Sequence, residues 1–401
     1  MAATFSVDPH RYVGRSEPFK RPKEFASFSY DKDHKFHLND SSIKWYYPPH
    51  PLNQPLYIDL SKGFSSFVKH DDSQDEHLDS LLKTIAHHES ETKSPIDANI
   101  VTWRGMMTKI MAAPFDDDGF EMNATSYRGT IFIEENHAFK VKRNAEQNAN
   151  QSRRRGPIPP EVMQFWGYKF ETLCTLPRPW GETSRDYIEG REDEIVNNNE
   201  QYCSVVRTGI GKTILCLGGE VDALWDSKPR QKGAPINWVE LKTSAEIRSA
   251  NDQFFFNKKL MKFWIQSFLL GVPKIIVGFR TRDGFLTKIE EMETMSIPNK
   301  MKSTPNAPWD GDVCINFAAG FLEWLRQTIN DDGVWRIRRL PKSYEIEVFR
   351  IEEAGHGEII TDEFMNWRIK LELGLLNPPA EDGDPGPPPP EQQDTETTMS
   401  G

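Results

Sequence analysis

Cysteine is scarce in this sequence. The 401 residues include four, Cys174, Cys203, Cys216 and Cys314, and no two of them stand close together in the chain. This spacing argues against a disulfide framework and against a cysteine-based zinc motif. We therefore expect four reduced, buried thiols in an intracellular protein.

Long apolar runs and a secretory signal are also missing. No apolar run reaches the roughly 20 residues that a membrane-spanning helix requires. The first residues lack the basic stretch and apolar core of a secretory leader. Hydrophobic residues still make up 37% of the chain, and it has 11 tryptophans, enough for a large core in one large domain or two smaller ones.

Positive charge is in deficit, since the formal net charge is −11. Six acids and no basic residue lie in the last part of the chain: Glu381, Asp382, Asp384, Glu391, Asp394 and Glu396. Without them the remainder carries −5. This sign argues against tight non-specific binding to duplex DNA, but it is compatible with an enzyme that grips one end of a strand. Residues 377–401 are also rich in proline, so we expect a disordered acidic tail.

Acidic side chains concentrate in the stretch from Gly218 to Ser244. We interpret it as two adjacent strands, the first with Glu220 and Asp222 and the second with Glu240 and Lys242. Side chains two positions apart on a strand point to the same face, so each pair would face one side of a sheet. The pattern predicts three carboxylates and one ammonium group close together.

Such a cluster has a definite chemistry. Three neighbouring carboxylates repel one another, and burial raises their pKa values. A divalent cation relieves this cost, and oxygen ligands favour Mg²⁺ or Mn²⁺. Lys242 could then orient a water molecule or stabilise charge on a phosphate. The pattern Asp…Glu-x-Lys is typical of PD-(D/E)XK nuclease-like sites, and the alternative is a surface hairpin with solvated charges.

Three further polar residues are ambiguous from the sequence alone. Arg104 follows an apolar strand and could bind a phosphate, although pairing with a structural carboxylate is the more common use of such an arginine. Glu171 follows several aromatic residues and alone indicates only a helix surface. Gln266 lies in the apolar half of the helix predicted over 254–271, so its amide needs a backbone or ligand partner.

The predicted elements mix helices with strands. We expect helices over 74–93, 312–327 and 361–373, and a polar loop in the Asn- and Gln-rich residues that follow Arg143. Strand pairs joined both by short turns and by helices predict an α+β or mixed α/β protein.

Five short motifs stand in a distinctive order along the chain. They are Trp103-Arg104-Gly105, Gly167-Tyr168-Lys169-Phe170-Glu171, Glu220-Val221-Asp222, Glu240-Leu241-Lys242 and Gln266-x-x-x-x-Gly271. In this order they resemble the signature motifs of the DXO family of RNA 5′-end quality-control enzymes, in particular the fungal binding partner of the nuclear 5′→3′ exoribonuclease. Five ordered motifs are more specific than any one of them.

The resemblance implies a fold and a set of roles. The family fold is bi-lobed, with two mixed β-sheets and a nuclease-like metal site in the cleft, so residues 1–376 would form a single catalytic domain. It implies that two Mg²⁺ or Mn²⁺ ions are held by Glu171, Asp222, Glu240 and the Leu241 carbonyl, and that Glu220 binds them directly or through a water molecule. It also implies that Lys242 and Gln266 contact the scissile phosphate or the attacking water, and that Arg104 binds substrate phosphates.

The resemblance also implies an activity. The substrates would be RNA with a 5′-triphosphate, which loses pyrophosphate, or RNA with an incomplete or atypical cap, and some members also degrade RNA 5′→3′. A nuclear location and binding to the exoribonuclease follow from the same resemblance. Two alternatives stay open, a mainly non-catalytic stabilising partner of the exoribonuclease and a DNA nuclease.

Overall fold

The computed structural model describes residues 2–49, 56–153 and 158–375. The tail at 377–401, for which the sequence predicts disorder, lies outside the described residues.

Seventeen strands are present in the described residues. In chain order they are β1 (Ala3–Ser6), β2 (Phe19–Tyr30), β3 (Phe36–His37), β4 (Trp45–Tyr46), β5 (Ile58–Asp59), β6 (Ile100–Trp103), β7 (Phe120–Tyr127), β8 (Thr130–Glu135), β9 (Thr175–Leu176), β10 (Gln201–Ile210), β11 (Thr213–Glu220), β12 (Ala223–Leu224), β13 (Trp238–Ala245), β14 (Lys274–Arg280), β15 (Phe285–Glu293), β16 (Val334–Arg339) and β17 (Glu345–Glu352).

Nine α-helices accompany these strands in the same part of the chain. They are α1 (Asp79–Thr92), α2 (Arg104–Ala112), α3 (His137–Arg153), α4 (Pro160–Leu173), α5 (Arg185–Gly190), α6 (Ala250–Leu270), α7 (Ile297–Lys302), α8 (Gly311–Thr328) and α9 (Asp362–Glu372). None of these helices is both long and apolar enough to cross a lipid bilayer.

The strands form two mixed sheets. The larger has the order β1-β17-β16-β7-β8-β6-β11-β10-β2-β3, in which only the pairs of β6 with β8 and with β11 are parallel. The smaller has the order β5-β15-β14-β13-β12-β4-β9, with parallel pairs between β13 and β14 and between β12 and β4. This confirms the predicted mixed α+β fold with two mixed sheets.

One apolar core joins the two sheets. Leu215 and Ile337 of the larger sheet belong to the same buried cluster as Ile275 of the smaller sheet. Helix α6 contributes Trp264 and Ile265 to this cluster. Burial of this shared surface fixes the position of one sheet relative to the other.

The boundaries of α6 follow from local chemistry. The Ser249 side chain accepts a hydrogen bond from the Asp252 N–H at its start. Gly271 ends the helix with φ of 72°, a left-handed conformation that glycine adopts without a Cβ clash.

Two expectations about the chain meet different outcomes. The polar residues after Arg143 lie in helix α3 rather than in a loop, so this prediction is wrong. Their polarity left no apolar stripe to indicate a helix. All four cysteines are buried and unpaired, as expected.

Candidate active site

The chain crosses from one sheet to the other at the first pair of acids. Glu220 is the last residue of β11 in the larger sheet, and Asp222 precedes β12 in the smaller one. The expectation that both acids share one strand is therefore wrong. The Val221 N–H donates a hydrogen bond to the Tyr202 carbonyl, which ends the β10–β11 ladder. Both carboxylates nevertheless line one cavity of about 40 Å³, enough for two or three water-sized spheres.

The second pair of residues lies on β13 as predicted. Lys242 Nζ lies 2.6 Å from Glu240 Oε1, so both side chains face the same side of the strand. Arg104, the first residue of α2, places Nη1 3.1 Å from Glu240 Oε2. Arg104 thus makes the carboxylate pairing that was the alternative to phosphate binding. Glu240 is completely buried and has two cationic partners.

The pairing determines the protonation of Glu240. Burial alone would raise its pKa, but the charges of Arg104 and Lys242 outweigh burial and lower it. The same carboxylate raises the pKa of Lys242 against the opposing effect of burial. Glu240 and Lys242 therefore stay ionised at neutral pH.

Asp222 has the opposite tendency. Burial, followed by the negative charge of Glu240, raises its pKa to about 7. Its Oδ2 accepts a hydrogen bond of 2.6 Å from the Leu241 N–H, which ties it to β13. The Leu241 side chain is buried in a separate apolar cluster with Phe170 and Leu286, so only its peptide group can serve the site.

Glu171 reaches the same cavity from the last turn of α4. Burial, followed by the charges of Asp222 and Glu220, raises its pKa well above the usual value. The pKa of Glu220 is also raised by burial, against the attraction of Arg104. Glu171, which alone indicated only a helix surface, therefore belongs with the acids of the two sheets.

These carboxylates fit a divalent cation by the chemistry of their oxygen ligands. Three of them have pKa values raised by burial, so full ionisation without a cation is unfavourable. All offer the oxygen ligands that Mg²⁺ and Mn²⁺ prefer. Among the described residues, no three of these acids bring one oxygen each within 4.8 Å of one another. The match is therefore one of ligand type, and three of the acids, Glu171, Glu220 and Asp222, share the cavity.

Gln266 is not among the described residues that line the cavity. Its side chain is half-buried on α6, and among the described residues no hydrogen bond connects its amide to any of the four carboxylates. Its predicted contact with the phosphate or the attacking water remains a prediction.

Other polar residues also line the cavity, among them three to which the sequence assigned no role. They are Lys44, Tyr168 and Asn198. Lys44 Nζ lies 3.3 Å from Glu200 Oε2, and both residues line the cavity. Lys44 stands in a short segment without periodicity, so only the folded chain reveals its proximity to the acids.

A family model agrees with this site. The model described as "RAI1 like PD-(D/E)XK nuclease" matches residues 20–365. This range contains every candidate residue of the cavity.

Known proteins are similar over nearly the whole chain. "Decapping nuclease RAI1" of Neurospora crassa is 68% identical over 386 residues, which cover 96% of this chain and 92% of that protein. The protein of the same name in Gibberella zeae is 64% identical and is covered over 100% of its length. The solved structure of Candida albicans Rai1 in complex with pU5-Mn²⁺ is 32% identical, covers 92% of this chain and has a TM-score of 0.85.

Proposed function

Because the chain belongs to the RAI1-like PD-(D/E)XK nuclease family, we propose that it is a divalent-metal-dependent hydrolase of RNA 5′ ends. It removes pyrophosphate from 5′-triphosphate RNA and hydrolyses incomplete or atypical caps. The relatives named decapping nucleases support this substrate class, and the Candida albicans complex supports Mn²⁺. The observation that carries the proposal is the convergence of Glu171, Glu220 and Asp222 on one cavity beside the Glu240–Lys242 pair.

The four acids and the Leu241 carbonyl would hold the cations. When bound, Mg²⁺ or Mn²⁺ polarises a phosphate and makes water a better nucleophile. Glu240 is ionised already, whereas protons compete with a cation for Asp222 and Glu171, whose pKa values are raised. Proton release should therefore accompany cation binding.

Lys242 and Arg104 would supply positive charge to the substrate. In the structure both cations contact Glu240. A divalent ion on Glu240 would compete for the same oxygens and leave the two side chains free to face phosphate oxygens. Lys242 keeps its proton because its pKa is raised, so it stabilises charge rather than acting as a base. The arginine fork can contact two phosphate oxygens at once.

The test compares two lysines on neighbouring strands. Lys242→Gln should reduce kcat for pyrophosphate release from 5′-triphosphate RNA by about 10²–10³-fold, with a smaller effect on KM. The control Lys274→Gln changes a lysine of β14 that pairs with Glu291, and it should keep wild-type kcat. The assay is run with Mn²⁺, Mg²⁺ or EDTA, and a DNA oligonucleotide of the same sequence tests the alternative of a DNA nuclease.

Equal activity of the two lysine variants would contradict the assigned role of Lys242. Metal-independent release by wild-type protein would contradict the reaction class. Cleavage of DNA as efficiently as RNA would favour the nuclease alternative.

We further propose that the protein is nuclear and binds the nuclear 5′→3′ exoribonuclease. The support is the motif resemblance to the fungal partner of that enzyme. Purified exoribonuclease should gain thermal stability when mixed with this chain, and equally with its inactive Asp222→Asn variant. Absence of any change in Tm would contradict the partner role, while stabilisation without hydrolysis by wild-type protein would favour the non-catalytic alternative.

A further inference from the structure

Two histidines and one glutamate form a second cluster outside the acidic cavity. His34 lies in the turn between β2 and β3, and His70 and Glu76 lie in the segment before α1. One possible ligand atom from each of the three residues lies within 4.8 Å of the other two. In the described residues this is the only group of three metal-binding side chains that come so close together. Glu76 Oε1 is 2.8 Å from His34 Nε2 and 3.6 Å from His70 Nε2.

The hydrogen bonds of the two imidazoles direct both Nε2 atoms toward Glu76. His34 Nδ1 lies 3.1 Å from the Asn199 main-chain oxygen, and His70 Nδ1 lies 3.2 Å from the Asn199 Oδ1 atom. A carbonyl oxygen only accepts hydrogen bonds, so each Nδ1 is the donor. In the neutral rings the Nε2 atoms then carry lone pairs that point at a carboxylate oxygen. Such an arrangement of acceptors requires a cation between them, either protons on the rings or a metal ion.

The conformation of the turn at His34 holds its imidazole in this position. His34 has φ of 61°, in the left-handed region, and its N–H donates to the Asp31 carbonyl. The Asp31 side chain also accepts from the Lys35 N–H, which closes the turn. The His34 ring stacks on Tyr30 at 4.0 Å between centroids. The turn and the packing against Tyr30 therefore hold the His34 imidazole in one orientation. Imidazoles that bind metals are commonly oriented by such surrounding contacts.

We propose that His34, His70 and Glu76 form a zinc site distinct from the acidic cavity. Two imidazoles and one carboxylate suit Zn²⁺, whereas Mg²⁺ prefers an all-oxygen set. The Asn199 contacts are the outer hydrogen bonds that orient zinc-binding imidazoles. A fourth position is left for water, and His70 and Glu76 line a cavity of about 160 Å³ that gives access to it.

The zinc site would brace one wall of the acidic cavity. The His70 N–H donates 2.7 Å to Asn198 Oδ1, and Val68 exchanges main-chain hydrogen bonds with Val196 and Asn198. Asn198 and Val196 line the acidic cavity. A metal ion at His70 therefore joins the β2–β3 turn and the segment before α1 to this wall without adding a ligand to the reacting centre.

The site can be tested on the full-length chain by measuring its zinc affinity in competition with a chromophoric chelator. Wild-type protein should bind one tight equivalent that excess Mg²⁺ does not displace. His70→Gln and Glu76→Gln should each weaken this equivalent by at least about 100-fold, and Asn199→Ala by about 10–100-fold through loss of an orienting hydrogen bond. His37→Gln is the matched control, since His37 lies on the same hairpin but pairs with Asp31, and it should bind zinc like wild type.

A second readout separates the zinc site from the acidic cavity. Zn²⁺ at about 100 times Kd should raise Tm by about 3 °C in wild type and in Glu240→Gln, and not in His70→Gln. Unchanged zinc affinity in His70→Gln and Glu76→Gln would overturn the proposal. So would loss of the tight equivalent in Glu240→Gln alone, or no tight equivalent in wild type. If His70→Gln does not fold, Glu76→Gln decides, since the Glu76 side chain is 45% exposed.

Discussion

Asp222 and Glu240 are connected through one peptide group, yet their carboxylates differ in protonation. Glu240 lies between Arg104 and Lys242, which outweigh burial and lower its pKa. Burial and the negative charge of Glu240 raise the pKa of Asp222 to about 7. The hydrogen bond that Asp222 accepts from the Leu241 N–H does not offset them. Both positive side chains make their direct contacts with Glu240. A cation bound in the cavity would therefore chiefly stabilise the negative charges of Asp222, Glu171 and Glu220.

The raised pKa of Asp222 makes stability depend on pH in the cation-free protein. Its pKa is about 7 in the folded state and about 3.9 in the unfolded chain. The contribution of this group to stability is therefore complete below pH 4 and is lost as pH rises through 7. Asp222→Asn removes the charge and keeps an oxygen for the Leu241 N–H. In EDTA the variant should gain on the order of 1–2 kcal/mol relative to wild type between pH 5.5 and pH 8.

Thermal unfolding at the two pH values measures this effect, with and without Mn²⁺. Mn²⁺ should raise the Tm of wild type more at pH 8 than at pH 5.5, because protons compete for Asp222. The Asp222→Asn variant should lose most of the Mn²⁺ effect. Asp226→Asn on the same hairpin, where the side chain is exposed, is the control. A variant that is destabilised equally at both pH values would contradict the assignment.

At the scale of elements, the end of β11 passes unusually close to its neighbours. A Cβ added at Gly218 would lie 2.7 Å from a ring carbon of Trp103, and one at Gly219 would lie 2.9 Å from the Arg104 Cβ. These glycines let β11 and the β6–α2 junction approach each other. They therefore set the distance between Arg104 and the acids that follow on the chain.

Gly218→Ala should consequently destabilise the protein by about 1–3 kcal/mol, the usual cost of overpacking a filled core. It should also lower kcat, because Trp103 would displace Arg104. The control is Gly105→Ala, one residue after Arg104 in α2, where an added Cβ meets no atom of the described residues within 4 Å. This control should be neutral or stabilising by about 0.5–1 kcal/mol, since alanine favours a helix. Urea denaturation compares the two, and equal midpoints would contradict the close-approach argument.

The sequence predicted parts of this site for identifiable reasons. The contact between Glu240 and Lys242 follows from the two-residue period of a strand. The position of Glu171 did not follow from any local pattern, because a helix places a residue by tertiary packing, and only the ordered motifs grouped it with the other acids. The separation of Glu220 and Asp222 into two sheets was missed, since a change of sheet leaves the same alternation in the sequence. His34, His70 and Asn199 are far apart in the chain, so spacing could not connect them.

At the scale of the whole molecule, the acidic cavity depends on two sheets that share one core. Ile337 of β16 and Ile275 of β14 are both completely buried in the same cluster, on opposite sheets. Neither sheet can lose its packing without exposing apolar surface of the other. The predicted single domain over 1–376 should therefore unfold as one cooperative unit.

Ile275→Ala and Ile337→Ala test this cooperativity from the two sides. Each should destabilise the protein by about 2–5 kcal/mol through cavity formation, and each should move one and the same urea transition. Tryptophan fluorescence and far-UV circular dichroism should give coincident curves in wild type and in both variants. Two resolved transitions, with only one of them moved by each variant, would mean that the sheets are separate domains. In that case Glu220 on the larger sheet and Asp222 on the smaller one would be brought together by domain closure and not by a fixed core.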